Sequence, residues 1–555
     1  MEALDWLVIG VFFLALIGII VWVVRQKQND SADYFLGGRD ATWLAIGASI
    51  FASNIGSEHL IGLAGAGASS GMAMAHWEIQ GWMILILGWV FVPFYTRSMV
   101  YTMPEFLERR YNPQSRTILS VISLVSYVLT KVAVTVYAGG LVFQQVFGIK
   151  ELWGIDFFWI AAIGLVVLTA LYTIFGGMKS VLYTSVLQTP ILLLGSLIIL
   201  VLGFKELGGW DEMMRVCGAV TVNDYGDTMT NLIRSNDDAN FPWLGALIGS
   251  AIIGFWYWCT DQFIVQRVLS GKNEMEARRG TIFGAYLKLL PVFLFLIPGM
   301  IAFALHQKYI GAGGEGFLPM LENGTANADA AFPTLVAKLL PAGVKGLVVC
   351  GILAALMSSL ASLFNSSAML FTIDFYKRFR PQTSEKKLVG IGQVATVVIV
   401  ILGILWIPIM RSVGDVLYTY LQDVQSVLAP GIAAAFLLGI CWKRTSAQGG
   451  MWGLISGMVI GLTRLGAKVY YSNAGEVADS TFKYLFYDMN WLFFCGWMFL
   501  FCIIVVIVVS LATEAPTAEK IQGLVFGTAT KEQKASTRAS WNHWDTVSYT
   551  HLTLP

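Results

Sequence analysis

One stretch near the N-terminus, GASIFASNIGSEHLIGLAG from Gly47 to Gly65, constrains this chain most. It lies within an apolar segment long enough to cross a membrane, yet it carries Asn54, Ser57, Glu58 and His59. No water is available in hydrocarbon, so polar and irregular backbone persists there only where protein buries it or where it lines a cavity. The stretch therefore predicts a membrane helix that is broken at a binding cavity.

The composition of the whole chain is that of a membrane protein. Of its 555 residues, 56% are hydrophobic and only 13% are charged, against about 25% charged residues in soluble domains. The net charge of +1 gives no support for a nucleic-acid or other polyanionic partner, and we expect no nucleic-acid binding. The six cysteines are scattered singly, without the spacing of a disulfide framework or a metal site. We predict an all-α, multi-pass protein whose surroundings are a lipid bilayer.

Thirteen apolar segments approach the length of about 20 residues that a membrane crossing needs. The first segment lacks a basic leader and a small-residue cleavage site, so we expect a helix that is retained. Arg and Lys cluster in alternate connecting loops, which predicts a cytoplasmic position for those loops and for the chain after Ser510, and an outside N-terminus. The predicted helices are 4–24, 42–70, 77–97, 117–147, 155–176, 182–203, 242–270, 279–306, 342–376, 387–409, 414–441, 446–469 and 488–511.

Two of these segments, 42–70 and 242–270, are interrupted by polar residues. The second interruption is WYWCTDQ, from Trp256 to Gln262. Paired interruptions in two halves of a membrane protein point to an inverted repeat with a binding site near the midplane. No residue-level repeat is visible, so this symmetry rests on the layout of the segments.

The segment 342–376 offers a set of neutral oxygens. Ala355, Ser358 and Ser359 stand at i, i+3 and i+4, which places a carbonyl and two hydroxyls on one helix face. With the carbonyls of Ala52 and Ile55 at the first interruption, they make about five oxygens, which suits a weakly held monovalent cation such as sodium. The lack of a carboxylate argues against calcium or magnesium. The alternative is that the serines only permit close helix packing.

Glu78 and Lys288 are ionisable residues in apolar surroundings, and such residues within a membrane generally mark functional sites. Glu78 could instead be an acid at the membrane interface, and Lys288 could extend to the cytoplasmic side. His59 could be a packed residue that bridges helices. These alternatives stay open from the sequence alone.

The aromatic run Trp256, Tyr257 and Trp258 could form an ordinary interfacial belt. Its place inside an interrupted helix instead suits a neutral, sugar-like polyol, because flat aromatic faces and hydrogen-bonding side chains together bind such ligands. Gln422, in an apolar segment, adds a neutral donor and acceptor. No HExxH, GxSxG, Walker or dinucleotide motif is present, so we expect no enzyme activity.

The chain resembles the sodium/glucose cotransporters of the solute:sodium symporter family over roughly residues 5–511. Long specific strings in separate helices carry this resemblance. They are ASNIGSEHLIGLAG at 52–65, WVFVP at 89–93, TMPEFLERRY at 102–111, LYTIFGG at 171–177, WYWCTDQFIVQRVLSGKN at 256–273, YLKLLP at 286–291, LMSSLASLFNSS at 356–367 and AAFLLGICWKR at 434–444.

The resemblance implies a LeuT-like core of five plus five inverted-repeat helices at residues 42–441. An N-terminal accessory helix within 1–30 precedes it, and accessory helices within 442–511 and a cytoplasmic tail at 512–555 follow. The implied activity is secondary active symport of sodium with a glucose- or galactose-like monosaccharide, imported across the plasma (inner) membrane by alternating access. A myo-inositol or other polyol symporter is the alternative, as is a sugar sensor that binds without translocating. The sequence leaves the sugar and the oligomeric state open.

The resemblance also implies roles for individual residues. The family's sodium ligands match Ala52, Ile55, Ala355, Ser358 and Ser359. Its sugar-site residues match His59, Glu78, Trp258, Lys288 and Gln422. A tyrosine matching Tyr257 stacks on the sugar ring as the inner gate, and an asparagine matching Asn54 steadies it. The outer-gate positions match Trp77 and Tyr418.

Two residues and the C-terminal end depart from the family pattern. Ser185 stands where an aspartate is common, so we expect one sodium site rather than two. Gly254 replaces a polar sugar-contacting residue, which leaves one sugar hydroxyl without an assigned partner. Relatives continue into a last membrane helix after a segment like RASWNHWD, so we expect this chain to be truncated, with a foreign end beyond about Val547.

Overall fold

The computed structural model shows a chain that is helical over most of its length. One small antiparallel hairpin pairs Glu151–Leu152 with Ile155–Asp156. The described residues are 1–547 without 27, 29, 57, 322–323, 413–416 and 475–476, and without the side chains of 129 and 409–421.

A helical segment matches each of the thirteen predicted ones. Within the described residues, ten helical stretches have the length and apolar composition to cross a membrane. The helical bounds are Ala3–Val24, Trp43–Asn54, Glu58–Ser98, Pro113–Phe147, Phe157–Leu207, Trp243–Thr260, Gln262–Leu269, Glu274–Gly311, Val344–Phe379, Glu385–Ser412, Leu417–Cys441, Ala447–Asn473 and Trp491–Ala512.

Two glycines separate predicted helices that are otherwise continuous. Gly71 has φ 75° and ψ −144°, and it divides Glu58–Ser98 between the predicted segments 42–70 and 77–97. Gly177 has φ 53° and ψ −148°, and it divides Phe157–Leu207 between 155–176 and 182–203. Such backbone angles favour glycine because a Cβ would clash. At Gly177, a Cβ would lie 2.4 Å from the carbonyl oxygen of Tyr34.

Both predicted interruptions are real breaks. The first broken helix comprises Trp43–Asn54 and its continuation Glu58–Leu63 and Ala64–Ser70, and Ile55 between them is extended at φ −78° and ψ 100°. The second broken helix comprises Trp243–Thr260 and Gln262–Leu269, separated by Asp261 at φ −75° and ψ 127°. The break therefore falls after the aromatic run, which lies in the widened turn Phe255–Thr260.

Burial separates central from peripheral helices. In Val344–Phe379, 89% of the most apolar window is buried, whereas in Ala3–Val24 the share is 22%. An apolar helix that hides so little of itself must face lipid. The helix Val344–Met369, here called the serine helix, is central, packing against Phe157–Leu207 and the first broken helix.

The loops predicted to be cytoplasmic meet at one end of the helical bundle. Residues 514–547 pack across this end, where Asp545 Oδ1 lies 2.9 Å from Arg279 Nε. The ring of Trp541 meets that of Trp89, and the amide of Phe526 donates to the carbonyl of Ile440. The loops therefore lie on one side of the bundle, and their cytoplasmic position stays a prediction.

Candidate functional site

Lys288 is the centre of a buried polar cluster between the two broken helices. Its Nζ donates to Asn54 Oδ1 at 2.8 Å and to Glu78 Oε2 at 2.7 Å, and lies 3.1 Å from His59 Nε2. His59 Nε2 is also 3.2 Å from Glu78 Oε1. Asn54 and Glu78 thus accept two of the ammonium hydrogens of Lys288, and His59 accepts the third when its Nε2 carries no proton.

The cluster is buried, which decides two of the open alternatives. Lys288 is 4% exposed and Glu78 is 1% exposed. Lys288 therefore does not extend to the cytoplasmic side, and Glu78 is not an interfacial acid. His59 is a packed residue that bridges helices, which was the alternative to a ligand-binding role, and the residues that it bridges are Lys288 and Glu78 of this cluster. A buried ion pair is costly to break, because removing one partner leaves an uncompensated charge.

Local sequence explains how these side chains converge. Asn54 is the last residue before the first break. Lys288 ends the helix Glu274–Lys288, where the chain turns at Leu289 and Leu290 before Pro291. Glu78 lies on the short helix Ala75–Ile79. Helix ends place all three side chains in the middle of the bundle.

Tyr257 is joined to this cluster through Asn54, whose Nδ2 donates to the tyrosine hydroxyl at 3.1 Å. Its ring makes an edge-to-face contact with Trp258, with centroids 4.9 Å apart and planes at 83°. Trp256, Tyr257 and Trp258 are all at most 8% exposed. The aromatic run is therefore not an interfacial belt, since belt residues face the lipid headgroups.

The cluster forms one wall of a cavity in the middle of the bundle. Every residue proposed from the sequence to contact sugar lines it. The lining comprises Asn54, Glu58, His59, Trp77, Glu78, Gln80, Ile253, Tyr257, Trp258, Lys288, Gln422 and Gln425. We call this the outer cavity.

A second, smaller cavity, here called the inner cavity, shares only part of this lining. Its walls are Ser53, Asn54, Gly56, Glu58, Lys131, Thr135, Tyr257, Phe263, Ser359 and Leu363. Tyr257 and Asn54 line both cavities. The hydrogen-bonded pair thus forms part of the partition between them.

Some polar atoms at the outer cavity have no hydrogen-bond partner in the described protein. They include His59 Nδ1 and Gln422 Oε1. If Nε2 of His59 carries the proton and donates to Glu78, Nδ1 can accept a hydrogen bond from a ligand. If Nε2 instead accepts from Lys288, Nδ1 carries the proton and can donate one. Buried polar atoms need a partner, and a ligand or water in the cavity can supply it.

The predicted oxygen cluster is partly assembled at the first break. Ser359 Oγ donates to the carbonyl of Ser53 at 2.8 Å and lies 3.5 Å from the carbonyl of Ile55. The last bond of this half-helix runs from the amide of Ile55 to the carbonyl of Phe51, so the carbonyl of Ala52 is among those that the helix leaves free at its end. Ala355 is 1% exposed in the serine helix.

Ser358 faces a different neighbour. Its Oγ lies 3.3 Å from Ser185 Oγ, which donates to the carbonyl of Val181 at 2.6 Å and lies 3.4 Å from Ser49 Oγ. All of these serines are buried. Ser185 therefore takes part in a neutral hydroxyl cluster beside the predicted sodium ligands.

Of the two residues matched to the outer gate, Trp77 and Tyr418, the structure describes the side chain of Trp77 only. Trp77 is 8% exposed, lines the outer cavity and meets the ring of Trp491 at 5.5 Å between centroids. The side chain of Tyr418 lies outside the described part of the chain.

Sequence reasoning missed a second buried ion pair. Lys131 Nζ lies 2.7 Å from Asp261 Oδ2, and Tyr127 donates its hydroxyl to the other carboxylate oxygen. The ammonium is 4.6 Å from the ring centroid of Tyr257, on the side of the inner cavity. The rule that singled out Lys288 applies equally to Lys131 in YVLTKVAV, so the signal was present.

Comparison with known proteins gives consistent matches. Residues 34–457 match the model of the sodium:solute symporter family. The chain is 36% identical to the sodium/myo-inositol cotransporter 2 of Homo sapiens, covering 95% of this chain and 79% of the relative. It is also 36% identical to the sodium/glucose cotransporter 4 of Danio rerio, covering 98% and 84%.

A solved structure has the same fold. The substrate-bound, outward-open structure of a Na⁺-coupled sialic acid symporter aligns with a TM-score of 0.73 at 21% identity, covering 93% of this chain and 99% of the other. This likeness confirms the predicted LeuT-like fold class and carries no statement about the ligand.

Proposed function

The chain belongs to the sodium:solute symporter family, a family of transporters rather than enzymes, and we propose that it imports a neutral monosaccharide of the glucose or galactose kind together with sodium. Its multi-pass membrane architecture and its fold are those of a sodium-coupled symporter. We place it in the plasma (inner) membrane, with a transport core at 42–441 flanked by accessory helices and with lipid around it.

The pairing of charges at the outer cavity carries the proposal of a neutral substrate. Glu78 and Lys288 neutralise each other at 2.7 Å, and Glu58, the remaining charged residue of the lining, is an acid and offers an anion no partner. The unpartnered atoms His59 Nδ1 and Gln422 Oε1 belong to side chains that can hydrogen-bond without an ionic partner. A carboxylate or phosphate substrate would need a free cation, whereas sugar hydroxyls donate to and accept from groups of this kind. Trp258 adds an aromatic face.

In this proposal, His59, Glu78, Trp258, Lys288 and Gln422 bind the sugar. Lys288 also holds Asn54, which in turn holds Tyr257. Sugar binding and the position of the gate residue are therefore linked through two hydrogen bonds, of 2.8 Å and 3.1 Å.

Sodium is the coupled ion, and its proposed ligands are the carbonyls of Ala52, Ile55 and Ala355 with the hydroxyls of Ser358 and Ser359. The contact of Ser359 with the freed end of the half-helix supports this set, since the break exposes carbonyl oxygens that sodium accepts. Because the ligands come from the first broken helix and the serine helix, ion binding would fix the distance between the two.

Tyr257 is the proposed inner gate. It lines both cavities, and its ring must move for a ligand to pass from the outer to the inner cavity. Trp77 and Tyr418 are the proposed outer gate. Rocking of the broken helices against the rest of the core would then expose the site alternately to each side.

The direct test is uptake of radiolabelled glucose and galactose into proteoliposomes, with and without an inward sodium gradient. The proposal expects saturable uptake above equilibrium that requires the gradient. A matched potassium gradient is the control and should give equilibration at most. Saturable sugar binding without accumulation would contradict the proposal and identify a sensor.

A second candidate substrate is myo-inositol, because several of the similar relatives are named sodium/myo-inositol cotransporters. Labelled myo-inositol in the same assay separates the two. A lower KM for myo-inositol than for either hexose would favour the polyol symporter.

A further inference from the structure

Gln80 presents a buried amide to the outer cavity and has no assigned role. Its side chain is 5% exposed and lines the cavity beside Glu78 and Trp258. The amide nitrogen Nε2 is buried and has no hydrogen-bond partner in the described protein. Leaving a buried amide donor unpaired is costly, so its partner is expected to be what the cavity holds.

The backbone at Gln80 explains how this side chain reaches the cavity. Residues two apart on a regular helix point about 200° apart, so Glu78 and Gln80 would not share a wall. The chain instead leaves the helix Ala75–Ile79 at Gln80, with ψ −2°, and restarts at Gly81. A hydrogen bond from Met83 N to Gln80 O at 2.8 Å, which spans three residues instead of four, marks this departure from regular helical geometry. Both side chains therefore face the same space.

Gly254, on the second broken helix, makes room for the amide. A Cβ at this position would lie 2.8 Å from Gln80 Oε1 and 3.1 Å from Gln80 Cδ. Any side chain at 254 would have to displace the glutamine. Residues 80 and 254 therefore compete for one place in the cavity wall.

From this geometry we infer that Gln80 Nε2 donates a hydrogen bond to one hydroxyl oxygen of the transported sugar or polyol, and that Gly254 sets the position of that donor. This inference rests on the proposed function. Positions 80 and 254 thus act together: Gln80 binds one hydroxyl of the substrate, and the residue at 254 decides whether Gln80 can reach it.

The test uses competition of deoxy- and fluoro-deoxyhexoses against labelled hexose uptake by the full chain in proteoliposomes. The proteins are wild type, Gln80→Leu, Gly254→Ala and the double variant. In the wild type, the analogue lacking the hydroxyl bound by Gln80 should compete about five- to tenfold more weakly than the parent sugar. In Gln80→Leu, which keeps the side-chain volume, that difference should disappear while the discrimination at every other hydroxyl remains.

Gly254→Ala gives a second route that leaves the amide in place. Its added methyl should push Gln80 aside and abolish discrimination at the same hydroxyl, and the double variant should add nothing further. Gly164→Ala, where a Cβ meets nothing within 4 Å, is the matched control and should behave as wild type.

The outcomes separate this inference from the proposed function. If Gln80→Leu weakens all analogues by one common factor, or changes none, Gln80 has a structural role only and the inference is wrong while sugar transport stands. If the wild type transports no sugar or polyol at all, the proposed function fails and the inference fails with it.

Discussion

The pair Glu78 and Lys288 allows a quantitative test of how the site is held together. Glu78→Gln keeps the side-chain length but removes the charge that lies 2.7 Å from Lys288 Nζ, in a place where both residues are at most 4% exposed. Removing one partner of a buried ion pair costs about 3–5 kcal/mol. We take the lower end, about 3 kcal/mol, because the glutamine retains an acceptor and Asn54 still accepts from Lys288.

The assay compares thermal midpoints in detergent and sugar uptake for Glu78→Gln, Lys288→Met and the double variant. Each single variant should lower the midpoint, and the double variant should recover most of the loss because no lone charge remains. Uptake should stay impaired in all three, since the sugar loses its polar contacts. Asp479→Asn, which removes the 94% exposed partner of Lys483, is the control and should change stability by less than about 1 kcal/mol.

The reasoning is refuted if Glu78→Gln leaves the midpoint unchanged, or if the double variant is as unstable as the sum of the single variants. Recovery of uptake together with stability in the double variant would show that the pair holds the fold and contributes nothing to sugar binding.

Three further substitutions test the other proposed roles. Ser359→Ala should lower the apparent sodium affinity with little loss of folded protein. The control is Ser366→Ala on the same serine helix, which removes a hydroxyl bonded to Gln266 of the second broken helix and should leave the sodium affinity unchanged. Equal sodium dependence of the two variants would remove Ser359 from the ion site. Gln422→Ala should raise the KM for sugar about three- to tenfold, as expected for one lost hydrogen bond, and an unchanged KM would place the sugar elsewhere. Tyr257→Phe should reduce uptake mildly because it loses only the bond to Asn54, while Tyr257→Ala should abolish accumulation; equal damage from both would show that the ring is not the important part of the gate.

Sequence reasoning predicted the helices well because apolar length and broken patterns are local signals. The break at Asn54 and Ile55 follows from polar residues that lipid cannot accommodate, and the structure has it there. The sequence predicted the second break across Trp256–Gln262. In the structure only Asp261 leaves helical geometry, because Trp256, Tyr257 and Trp258 lie within a widened helical turn. Periodicity alone cannot distinguish such a turn from a break.

The partners of each side chain were less predictable. From the sequence, Lys288 could equally well extend to the membrane surface, and only the packing of three helix ends puts its ammonium between Asn54, His59 and Glu78. Gln80 gave no signal, because its role depends on a one-residue turn in the helix and on the glycine opposite. Lys131 and Asp261 were visible as intramembrane charges, but their pairing joins residues 130 positions apart.

Coupling between sodium and sugar is the central claim, and the reversal potential of the sugar-dependent current on the reconstituted protein tests it most directly. With Ser185 in a neutral hydroxyl cluster, we predict one sodium ion per sugar. One charge crossing about 100 mV provides about 2.3 kcal/mol, and a tenfold sodium gradient adds about 1.4 kcal/mol, so one ion balances a sugar gradient of about 500-fold. The current should reverse at the sugar gradient that this ratio gives. Reversal near the square of that gradient would show two ions and a second sodium site, and a current that ignores the sugar gradient would contradict coupled transport.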